Sequence, residues 1–212
     1  MRFWTTQTED VIDIILSRGV YKPDFNLSNG LGGDSVKPGY DEILNAYCFR
    51  NNIECKGLIF GIRELNDLVV ENIEQYKLYF RTNNTFWDSV SNAGEKYALL
   101  ELEVPDEIDT IPIYFQDFIV LCMRNIRSNE FKNYVKPQLK NIEFKDFNND
   151  LKIAQSIGWT DDMLLNKIVQ SHIDQIPIEC IKGVYGTVNF ETQTQYSLGE
   201  KGLQLQKYIN SK

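Results

Sequence analysis

The single histidine, His172, must serve any chemistry that needs an imidazole, since no other unperturbed side chain titrates near neutrality. A Ser-His-Asp or Cys-His site would have to be built on it, yet no glycine-flanked nucleophile elbow surrounds a serine. Cys48, Cys55, Cys122 and Cys180 are spread along the chain without a CxxC pair, so with one histidine they make no zinc-ligand set. Cys122 and Cys180 sit in apolar runs, the setting of reduced, buried thiols rather than of a disulfide framework. The 30 acidic residues supply many carboxylate pairs, but spacing selects none of them, and a solvated acidic surface is the simpler reading. The glycine cluster "NGLGGDSVKPG" lacks the Lys-Ser/Thr that follows a phosphate loop, so it reads as a long surface loop.

The elements that would position such groups begin with "MRFWTTQ", whose aromatic and β-branched residues predict a strand. A helix follows: Thr6 and Glu9 have capping-box spacing, Val11, Ile14, Ile15 and Arg18 recur at helical intervals, and Gly19 suits the left-handed stop. Ile43, Leu44, Ala46 and Tyr47 predict a short helix over 40–49, and "KGLIFGI" a buried strand with Gly61 near its end. Leu65, Leu68, Val69, Ile73 and Tyr76 have mainly helical spacing, so a helix is expected over 64–81. "YALLELEVP" reads as an alternating strand ended by Pro105, and "IPIYFQDFIVLCMRN" as a strand and then a helix capped by Asp117. Residues 127–150 are polar and predict a short helix plus loop. Thr160 would cap a helix with Leu164, Leu165 and Ile168 on its inner side, while "IPIECIKGVYGTVNF" reads as two strand pieces around Gly183 or Gly186.

The 212 residues suit a single domain, 1–212, that buries roughly 70 % of its unfolded surface. With 42 % hydrophobic residues the chain can build a core. A net charge of -8 argues against a non-specific grip on nucleic acid, which relies on clustered Lys and Arg, and leaves specific recognition at one site open. No window approaches the ~20 apolar residues of a membrane span, and nothing resembles a signal peptide, so a cytoplasmic protein is expected. Periodicity by itself predicts a mixed α+β fold.

The segment "FWTTQTEDVIDIILSRGV" resembles the first motif of the ADP-ribosyltransferase superfamily, an aromatic-His-x-Thr strand leading into a helix that ends in "IL..G". In that register Trp4 is the aromatic, Thr5 stands at the histidine that hydrogen-bonds the NAD ribose, and Gln7 stands at the threonine. The segment "IVQSHIDQIPIECIKGVYG" resembles the superfamily's late strand, with Gln170 in place of its carboxylate. Most of the chain also resembles a bacterial family described only as a domain of unknown function. That likeness rests on Trp4, Thr5 and Gln7, then Ala46 and Tyr47, "GLIFGI", Glu103 to Glu107, Asp117 and Phe118, Trp159 and Gln170.

The resemblance implies a twisted, split central sheet flanked by helices, with NAD as substrate. It places Trp4, Thr5, Gln7 and Asp117 against NAD and Gln170 in the catalytic position, transferring ADP-ribose to an unknown acceptor. A glutamine can orient a ribose hydroxyl but cannot take a proton as a carboxylate does; Asp174 and Glu179 are the carboxylates nearby. The alternative from another class is a non-catalytic module that retains the fold and binds a protein partner, with Phe86 and Trp87 as its patch.

Overall fold

A computed structural model of the chain describes residues 1–27, 37–65, 68–76, 94–114, 168–188 and 194–212. Strand β1 (Arg2–Thr8) runs straight into helix α1 (Glu9–Arg18). The cap is Thr8, not Thr6: its hydroxyl accepts from the Val11 N–H at 3.3 Å. Thr6, Gln7 and Thr8 stay extended because they pair with Leu99, Ala98 and Tyr97, which delays the helix by two residues. Glu9 and Asp10 in the first turn and Arg18 in the last complement the helix dipole. Gly19 ends the helix at φ 76°, the left-handed stop expected of it, and its N–H returns to the Ile15 carbonyl at 2.9 Å.

Strand β2 (Val20–Tyr21) is followed by α2 (Lys37–Asn51), longer at both ends than the predicted helix and stopped by Asn52 at φ 52°. Then come β3 (Ile59–Leu65), β4 (Leu68–Val69), β5 (Tyr97–Glu103), β6 (Ile113–Tyr114) and β7 (Ile168–Ile173). The chain closes with β8 (Ile176–Pro177), a 3-10 turn over Ile178–Cys180, β9 (Ile181–Gly186) and α3 (Glu200–Asn210). The main sheet has the order β6-β7-β3-β1-β5-β9 with β4 on β3, and every pairing is antiparallel; β2 and β8 form a separate ribbon.

Both faces of this sheet are buried. Phe3, Ala98, Leu100, Leu102, Ile173 and Val184 pack beneath Ile12 and Ile15 of α1 and Leu205 of α3. Trp4, Ile62 and Leu99 pack on the opposite face against Ile43 and Tyr47 of α2, with Val70 and Tyr76. Double burial explains why residues 98–102 are buried without interruption, where the expected alternation would have left one face wet. Gly61 lies inside β3 rather than near its end, at a point where a Cβ would overlap the Phe3 ring and reach within 2.6 Å of the Trp4 carbonyl oxygen.

Several expectations are corrected. Leu65, Leu68 and Val69 belong to the β3–β4 hairpin, since Glu64 pairs with Val69; helical turns are confined to 73–76 in the described part of the segment. Ile168 opens β7 instead of closing a helix, because it pairs with Leu65. The break between the last strands falls at Ile178–Cys180, not at a glycine. The helix expected after Asp117, that over residues 127–150 and the Thr160 cap lie outside the described residues. Among the described residues no helix is long and apolar enough to cross a membrane.

Candidate functional site

Antiparallel pairing lines up one residue from each of six strands: Ile113, Gln170, Ile62, Trp4, Glu101 and Gly183. Side chains in such a row emerge on one face, with neighbouring strands about 4.8 Å apart. The row therefore brings Trp4 and Gln170 to the same face, separated by Ile62. Thr5 and Gln7 are of opposite parity to Trp4 and project from the other face, where Gln7 Nε2 donates to Thr5 Oγ1 at 2.8 Å. The sheet itself thus stands between two of the four residues proposed for NAD and the third, and Asp117 lies outside the described residues.

Each described member of that set already has a structural partner. Trp4 is 0 % exposed, donates Nε1–H to the Val70 carbonyl at 2.7 Å and packs tilted against Tyr76 and Tyr185. Thr5 Oγ1 donates to the Phe60 carbonyl at 2.8 Å. Gln170 is 7 % exposed and its Nε2 lies 3.2 Å from His172 Nε2. Of the nearby carboxylates, Asp174 accepts from the Tyr47 hydroxyl at 3.0 Å, which adds to burial in raising that phenol's pKa.

His172 is fully buried two residues along β7. Its Nδ1 faces the carbonyls of Ile111 at 3.0 Å and Thr110 at 3.2 Å, so Nδ1 carries the proton and Nε2 accepts from Gln170. Burial pulls its pKa down to about 4, against the two carbonyl hydrogen bonds that favour the cation. The carbonyl of Ile111 comes from a backbone held at φ 45°, an unfavourable conformation for a β-branched residue. Asp109 Oδ1 takes the Ile111 N–H at 2.9 Å, and Asn51 grips both backbone groups of Asp109. The chain's one histidine is thus a buried neutral bracket for a strained loop.

On the far side of Trp4 the row contains a group that the sequence reading did not single out. Glu101, 8 % exposed, receives Arg2 Nη1 at 2.6 Å on one oxygen and the Tyr185 hydroxyl at 2.9 Å on the other. Burial and this carboxylate push Tyr185 up to about 12. Gly183 makes room for the pair, since a Cβ there would come 2.6 Å from Tyr185 Oη and 2.8 Å from Glu101 Oε2. The signal was present in the sequence as a lone acid within "ALLEL", because a charge in a doubly buried strand requires a partner. Arg2 and Tyr185, far apart in sequence, gave no such signal.

No family model matches this chain, and no curated protein or solved structure matches it. Among the described residues no group of three or more His, Cys, Asp or Glu side chains could hold a metal ion.

Proposed function

We propose that the chain is a non-catalytic binding module on an ADP-ribosyltransferase-like fold, which engages a protein partner and does not turn over NAD. The observation that carries this reading is the commitment of the row from Gln170 to Trp4: both side chains are sealed in the sheet's packed face and hydrogen-bonded within the protein. Binding NAD there would require breaking those contacts and reopening a core, at a cost of several kcal/mol on the scale of core disruptions. Phe49, 86 % exposed at the end of α2, supports a partner surface in addition to Phe86 and Trp87, which lie outside the described residues.

The test is nicotinamide release from NAD at millimolar concentration, with calorimetry for NAD binding. Neither signal is expected. In parallel, a partner should co-purify with the wild-type chain and be lost with Phe49→Asp, an exposed substitution that leaves stability within about 0.5 kcal/mol.

A second reading, NAD-dependent transfer of ADP-ribose, is favoured by one observation. Trp4, Gln170 and the carboxylate of Glu101 share a single row, so an aromatic, an amide and an acid lie on one face. Nicotinamide release that disappears in Glu101→Gln would establish this reading and sink the first.

A further inference from the structure

Cys48 and Cys55, seven residues apart, end with their sulfurs 2.9 Å from each other, closer than two unbonded sulfurs ordinarily pack. The chain achieves this by reversing at Asn52, in the left-handed conformation, while the Ile53 N–H closes onto the Cys48 carbonyl at 3.1 Å. The returning segment is held by a bridge between Asp24 and Lys56, with the Phe25 N–H on the Lys56 carbonyl at 2.9 Å. Both thiols are half-buried and so open to a small oxidant. Shortening the gap by roughly 1 Å would reach disulfide bonding distance.

We propose that Cys48 and Cys55 are a redox-responsive pair, closed by a hydroperoxide into a disulfide that staples the end of α2 and reopened by a thiol reductant. Burial and the neighbouring Cys48 push the Cys55 thiol up, and either sulfur can donate the hydrogen bond between them. In the proposed sequence the Cys48 sulfur attacks the peroxide. Its S–O bond forms as the O–O bond breaks, giving a sulfenic acid and releasing water or an alcohol. Cys55 sulfur next attacks Cys48 sulfur; the S–S bond forms, the S–O bond breaks, and the hydroxyl leaves as water with the proton of Cys55. Two thiols lose two electrons and one hydroperoxide gains them. A thiol reductant reverses the bond through a mixed disulfide.

The staple closes the turn that carries exposed Phe49 and the Asn51 side chain that grips Asp109. Its formation is expected to raise the melting temperature by about 5 °C, as the constraint on a short loop implies. The experiment treats the purified chain with hydrogen peroxide, alkylates the remaining thiols and maps the peptides. The expected result is a Cys48–Cys55 cross-link, an intact mass lower by two hydrogens, and reversal by dithiothreitol. In Cys55→Ser a sulfenic-acid probe should label Cys48. Alkylation of both cysteines after oxidation, or a disulfide that uses Cys122 or Cys180 instead, would overturn the proposal. Because the mapping is done on the unmutated chain, poor folding of a variant does not protect it.

Discussion

His172 is the side chain most exposed to a pH test, because its neutral form is built into the fold. With a folded value of about 4 against 6.5 when free, the unfolded chain binds the extra proton between those limits. This contribution to stability is therefore complete above pH 6.5 and is lost as pH falls toward 4, amounting to about 3 kcal/mol. His172→Asn, which retains a donor for the Ile111 carbonyl but does not titrate, should flatten this part of the urea-midpoint profile; an unchanged wild-type slope would refute the assignment. Packing makes an equally local prediction at Gly61. Adding one methyl against the Phe3 ring and the Trp4 carbonyl should cost about 1–3 kcal/mol in denaturant unfolding, and a neutral Gly61→Ala would mean that β1 and β3 lie further apart than described.

Helix ends are where the elements are most easily tested. Thr8→Ala should destabilise the protein by about 1 kcal/mol through loss of the Val11 cap, whereas Thr8→Ser should retain most of it. Equal losses for both would show that the hydroxyl is not capping α1. The start of α3 depends on a different kind of cap: Glu9 Oε1, from the first turn of α1, accepts the Lys201 N–H at 2.9 Å. Glu9→Ala should therefore loosen α3 as well as α1, visible as faster amide exchange at residues 200–204, although those residues lie far along the chain. The sequence reading assigned nothing to α3, since its apolar positions are few and its cap comes from 192 residues away.

At the scale of the whole molecule, β1 is hydrogen-bonded by β3 and β5 and covered on both faces, so its amides should open only on global unfolding. Hydrogen exchange should be slowest in β1 and β5 and faster in the two-residue β6; rapid exchange across β1 would contradict the strand order. The β1–α1 unit was legible because its determinants are local: β-favouring aromatics, helical spacing and Gly19 at a left-handed stop. The apolar run of β5 was legible for the same reason, with Glu101 inside it as an unread signal of a buried ion pair. What the sequence by itself determined, then, was a mixed α+β chain with a first helix stopped at Gly19 and a single histidine, while the position of that helix's cap followed from strand pairing. Only the tertiary structure decided that Trp4 and Gln170 share a face while Thr5 and Gln7 take the other, and that Cys48 meets Cys55. Strand parity is set by pairing between segments as far apart as Ile59 and Ile173, and a one-residue shift in register exchanges the two faces of a strand.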